Sequence, residues 1–196
     1  MCSRTPLLVR FVKRIFLTLA LVANAVLLYV IWRGLNIGDA GAKSPEVQRE
    51  VGTHMLIGLG ALTFTALVHA IALTWFMGTV RFLEETSKAY SLPAEFYHRS
   101  RRLKYRMLPG MCICLFLLIG TGALGAIADP ATPASLANTL GITDAQTHLV
   151  GAIVLLVINL TVTLVEYLAV AGNSQVIEQV LAEVHRVRAE RGLPVG

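Results

Sequence analysis

Residues 149–172 read LVGAIVLLVINLTVTLVEYLAVAG, an apolar stretch whose one charged residue is Glu166. A helix rises about 1.5 Å per residue, so about 20 apolar residues cross a hydrocarbon core about 30 Å thick, and this stretch is long enough. Three more stretches, 15–32, 55–80 and 107–128, have the same character, and the four together take up 90 of the 196 residues. The composition agrees, with 55% hydrophobic and only 15% charged residues against about 45–50% and 25% in soluble domains. The mean hydropathy is +0.65. The sequence therefore predicts an all-α polytopic membrane protein, a bundle of four transmembrane helices. A disordered tail, a nucleic-acid reader and a disulfide scaffold are poor fits to such a chain.

The net charge of +5 has its explanation in where the basic residues fall. Arg4, Arg10, Lys13 and Arg14 precede the first span, seven Lys and Arg lie between Arg81 and Arg106, and Arg186, Arg188 and Arg191 follow the last span. Only Arg33, Lys43 and Arg49 lie in the remaining connections, so the division is 14 against 3. By the positive-inside rule, both termini and the long middle connection face the cytoplasm of an inner, plasma membrane. No nucleic-acid partner is needed to account for the charge. The basic start, the apolar run and Ala23-Asn24-Ala25 imitate a cleavable secretory signal, but apolar sequence continues to Trp32, which predicts an uncleaved anchor. Cys2 lacks the leader of a lipoprotein. Cys112 and Cys114 are two apart, on opposite sides of a helix, and read as small core hydrophobes.

The chain divides into two helical hairpins. A shift of 94 residues lays Thr53-His54 on Thr147-His148, Leu62 on Leu156, Val68 on Val162, Gly78 on Gly172 and Glu84 on Glu178. Glu50 falls on Asp144, which gives each histidine a carboxylate four residues before it. The hairpins share one orientation, so a repeat would be related by an axis along the membrane normal. Ser44-Pro45-Glu46 and Thr143-Asp144 are helix-start signals. With these starts the spans become about 15–32, 53–80, 107–128 and 148–172 within a transmembrane domain of residues 1–172. Residues 173–196 form a cytoplasmic amphipathic helix and tail, in which Val176, Val180, Leu181, Val184 and Val187 recur at helical spacing. This tail is expected on the membrane surface or against a partner helix. Pro93 is expected to open a short basic helix to Arg106, with Arg99, Arg101, Arg102 and Lys104 on anionic lipid headgroups.

Ionisable residues inside spans are costly and face the bundle interior or a functional path. His54, Gly58, Ala61, Thr65, His69 and Ala72 form one stripe, and His148, Ala152, Leu155, Asn159, Thr163 and Glu166 form another. Facing each other, they would bring His54 and His148 to one depth near the outer surface and His69 toward Glu166 near the inner leaflet. Two imidazoles from facing helices suit the axial positions of haem b. Gly58, Gly60, Gly120, Gly122, Gly125, Gly151 and Ala152 would leave room for the porphyrin, and Arg33 would receive a propionate. The alternative is a Zn, Fe or Cu ion held by Glu50, His54, Asp144 and His148. The plainer alternative has the two histidines as interfacial residues, each near its own carboxylate, and the glycines as close-packing positions.

His54-Met55-Leu56-Ile57-Gly58, Trp75-Phe76-Met77-Gly78, Arg81-Phe82, Arg102-Leu103, Pro109-Gly110-Met111, Ala128-Asp129-Pro130 and His148-Leu149 occur in that order. In this the chain resembles the HemJ-type membrane protoporphyrinogen oxidases over about residues 54–170. The resemblance implies haem b binding in a helical inner-membrane protein. The distance to Trp75-Phe76 leaves His69 open beside His54 as the first histidine. The expected function is electron transport or oxidoreductase chemistry at a haem or metal between the second and fourth spans. One alternative is a non-catalytic membrane subunit or assembly factor, or a homo-oligomer. Another is a transporter or proton path along His69, Asn159 and Glu166.

Overall fold

The computed structural model describes residues 5–39, 41–42 and 44–194, with side chains except at 5–10, 138 and 140. Cys2, Arg4 and Lys43 therefore lie outside the described residues, as does the side chain of Arg10. The elements are α1 (Thr5–Leu35), α2 (Pro45–Tyr90), α3 (Glu95–Ala128), α4 (Ala137–Leu140) and α5 (Asp144–Glu190), and the described residues contain no strand. Four of the helices are long and apolar enough to cross a membrane. Large apolar side chains such as Phe116, Leu56 and Ile119 are 76%, 74% and 70% exposed. Water would disfavour so much exposed apolar surface, whereas lipid accommodates it.

The helix starts form as the sequence predicts. Pro45 opens α2, where the Ser44 hydroxyl accepts from the Val47 amide at 3.3 Å. Thr143 and Gln146 make a reciprocal capping box ahead of α5. The Gln146 amide donates to Thr143 Oγ1 at 3.2 Å and the Thr143 amide donates to Gln146 Oε1 at 2.9 Å.

The helices extend well beyond the apolar stretches: α2 has 46 residues and α5 has 47. The expected short basic helix is the beginning of α3, which continues through Pro109 to Ala128. Proline removes one backbone donor, and a helix crossing a membrane tolerates that where its neighbours support it. The four-residue α4 in the last connection has no counterpart in the sequence expectation.

The chain forms two compact units. One comprises residues 19–68 and 110–163. Leu27, Ala61, Leu118 and Leu155, one from each long helix, make its core, surrounded by Val26, Val30, Leu62, Ala66, Leu115, Leu117 and Leu156. A buried polar chain joins α1 to α5 here. Asn24 Nδ2 donates to Thr163 Oγ1 at 3.2 Å, and Asn159 Nδ2 donates to Asn24 Oδ1 at 3.0 Å.

The other unit comprises residues 1–18, 69–109 and 164–196. Its core is Leu83, Val176, Ile177, Val180 and Val184, with Trp75, Tyr90, Leu92, Phe96 and Leu181 packed against it. The apolar face of the tail is thus covered by α2 and α3 of its own chain, and α5 is continuous through it. Ser100 Oγ donates to Asn173 Oδ1 at 2.5 Å, and Asn173 Nδ2 donates to Thr79 Oγ1 at 2.7 Å. Thr79 and Asn173 are 94 residues apart, the same offset as the sequence repeat. Ala61 and Leu155 in the first unit share that offset. Within each unit α2 and α5 therefore run in the same direction, with repeat-related positions meeting side by side.

Candidate functional site

The unit of residues 19–68 and 110–163 brings His54 of α2 and His148 of α5 together. Their ring centroids are 6.2 Å apart and their planes are nearly perpendicular, at 84°. The sequence pairing of these two histidines is therefore reproduced in space. Each ring rests on a helix backbone at a glycine. A Cβ added to Gly34 of α1 would lie 2.9 Å from His54 Cε1, and one added to Gly125 of α3 would lie 3.1 Å from His148 Cε1.

Three buried polar atoms here have no hydrogen-bond partner among the described residues: His54 Nδ1, His148 Nδ1 and Arg33 Nε. Buried nitrogen without a partner costs free energy, and the Thr121 backbone is the hydrogen-bonding group near His148. Arg33, at the end of α1, is close enough to act electrostatically on His54.

The acidic residues behave differently. Asp144 accepts from Ser135 Oγ at 2.6 Å and from the Leu136 amide at 2.8 Å, which ties the connection after α3 to the start of α5. Among the described residues no three His, Cys, Asp or Glu side chains gather where they could hold a metal ion. Asp144 is engaged with the connection after α3. The small residues also have other uses than leaving room. Val30 contacts the Cβ position of Gly58, Leu62 that of Gly122 and Leu124 that of Gly151, while Gly60 and Gly120 face no neighbour within 4 Å.

Two in-line imidazoles that share a metal at about 2.0–2.1 Å from each nitrogen have centroids about 6 Å apart, and a tetrahedral angle brings them to about 5 Å. The observed 6.2 Å is within the reach of one shared group. A bare Zn ion wants three or four protein ligands, of which the two imidazoles would be two. Haem iron already has four porphyrin nitrogens and needs only two axial ligands. His54 and His148 would hold a haem through their imidazoles, and Arg33, which acts electrostatically on His54, would meet one of its carboxylates.

In the other unit His69 Nδ1 lies 2.8 Å from Glu166 Oε1, and both side chains are 0% exposed. This pairing was also legible from the two stripes. Glu166 Oε2 is buried with no partner among the described residues. The sequence reading missed Asn24, whose position resembled a signal cleavage site. A polar amide in the middle of an apolar run was the available signal.

No protein-family model, curated protein or solved structure matches the chain.

Two expectations follow from these contacts. Gly34→Ala and Gly125→Ala each force an imidazole off its cradle and should cost about 1–3 kcal/mol. Gly151→Ala, which meets the flexible Leu124 Cδ1 at 2.8 Å and Thr121 Oγ1 at an ordinary 3.9 Å, should cost less. Denaturation in mild detergent measures all three. The second concerns Asp144, which precedes the lipid-crossing stretch. Hydrogen bonds from the Ser135 hydroxyl and then the Leu136 amide hold its carboxyl below the ordinary range. A depressed folded value means that the contact stabilises above the unfolded pKa and is lost as pH falls through the folded one. Hydrogen exchange at the Leu136 amide should accelerate on that acid side, after correction for intrinsic exchange, and Asp144→Asn should remove the acid step.

Proposed function

We propose that this is a multi-pass inner-membrane protein with both termini cytoplasmic, in which His54 and His148 ligate haem b and support electron transfer. The observation that carries this reading is the imidazole pair, 6.2 Å between centroids with both Nδ1 atoms buried and unpartnered. The resemblance to HemJ-type oxidases supports the same cofactor. Bound there, haem would supply one-electron exchange at iron. The chain's own contributions would be two imidazoles seated on Gly34 and Gly125 and a cation at Arg33. Low dielectric and hydrogen bonding around the site would set its potential.

The test is purification in detergent after haem-supplemented expression, with the visible spectrum taken before and after dithionite and metals determined by elemental analysis. The expected result is a Soret band with iron near one per chain. A colourless protein carrying stoichiometric copper or zinc would replace haem with a bare ion, and one with neither would end the cofactor reading in favour of a non-catalytic subunit.

A further inference from the structure

Several exposed cations of the unit formed by residues 1–18, 69–109 and 164–196 are paired on their own helices. Arg81 is paired with Glu85 at 2.8 Å and Lys88 with Glu84 at 2.7 Å. Arg186 is paired with Glu183 and, at 2.6 Å, with Glu190. These charges are neutralised one turn away on their own helices.

The start of α3 is different. Arg101, Arg102, Lys104 and Arg106 lie within six consecutive residues, and none is ion-paired with a carboxylate among the described residues. Aromatic groups hold part of this cluster. Arg101 donates to the Tyr97 hydroxyl at 3.1 Å. Arg101 and Lys104 approach the Tyr105 ring at 5.5 and 4.8 Å from its centroid. Arg99, expected among the headgroup contacts, instead donates to Gln179 of α5 at 3.3 Å. An open groove of about 760 Å³ is lined by Glu95, His98, Arg101, Arg102, Tyr105 and Arg106.

We propose that this groove is a headgroup site for an anionic phospholipid. Arg106 immediately precedes the apolar stretch 107–128, so the cluster stands at the level where a bilayer presents its phosphates. Guanidinium groups bind phosphate oxygens two at a time, and unpaired ones are free to do so. Tyr105 has the apolar ring and polar tip of an interfacial residue. Glu95, the one carboxylate facing the groove, is about 16 Å along the helix from Arg106, which leaves the Arg102 and Arg106 end for the phosphate. A zwitterionic lipid would add a cation that this cluster repels, so the site selects net negative headgroups.

The experiment follows the thermal unfolding midpoint of the full chain in neutral detergent during titration with phosphatidylglycerol, with phosphatidylcholine of the same acyl chains, or with glycerol phosphate. Phosphatidylglycerol should raise the midpoint by a few degrees, less so at high salt, and the other two should leave it nearly unchanged. Arg102→Gln/Arg106→Gln should lose most of that shift while its midpoint without lipid stays at the wild-type value. Arg81→Gln/Lys88→Gln should keep the shift. An equal response to phosphatidylcholine, a full response in Arg102→Gln/Arg106→Gln, or an equal response to glycerol phosphate would overturn the proposal.

Discussion

Glu166→Leu is expected to lower the unfolding free energy in detergent by about 3 kcal/mol, because it removes one member of a fully buried, hydrogen-bonded pair. The 2.8 Å contact between His69 and Glu166 has both side chains 0% exposed, so solvent cannot replace the lost partner. Breaking such a pair costs more than replacing it. His69→Leu/Glu166→Leu should therefore be more stable than the sum of the single losses implies, with a coupling energy of about 1 kcal/mol or more. Glu166→Gln keeps an acceptor for a protonated Nδ1 and should lose least. Equilibrium unfolding of the four variants in one detergent measures the cycle. Strictly additive losses would mean that the pair is a geometric neighbour without energetic coupling.

His54→Ala and His148→Ala are each expected to remove most of the haem absorbance. Both imidazoles would hold the group, so either deletion would remove one of its two protein ligands and open a cavity beside it. Helical circular dichroism and a single elution peak would show that the variants still fold. His69→Gln provides the contrast. Its ring is committed to Glu166, so its spectrum should match the wild type even though its stability falls. Loss of colour in His69→Gln with retention in both other variants would move the ligands to the other unit.

Much of this architecture was legible in the sequence. Lipid demands long uncharged helices, and their number could be read from where charge is missing. The 94-residue shift was legible because α2 and α5 place related residues side by side, as Thr79 and Asn173 show. The helical period also foretold the meetings of His54 with His148 and of His69 with Glu166.

Helix ends were less legible. Charge marks where hydrocarbon stops, whereas α2, α3 and α5 continue past that point on tertiary packing such as Leu83 against Val176 and Val180. The tail's apolar face was visible in the sequence, but its cover was not, because Phe96 and Tyr90 are distant along the chain. Composition left the glycines open. A glycine in a span reads equally as space for a cofactor or as a seat for a neighbour, and Val30, Leu62 and Leu124 take the second option at Gly58, Gly122 and Gly151. Asp144 precedes His148 by one turn, which the sequence reads as a carboxylate–histidine pair. Its bonds to Ser135 and Leu136 depend on the path of the connection, which no periodicity encodes.

Low-temperature electron paramagnetic resonance of the oxidised, haem-loaded protein tests the central claim most directly, because it reads both the number of imidazole ligands and the angle between them. Ring planes at 84° predict a low-spin ferric signal of the strongly axial, large-gmax type given by perpendicular axial imidazoles. A high-spin signal, or the rhombic low-spin signal of parallel imidazoles, would contradict ligation by His54 and His148 in this arrangement.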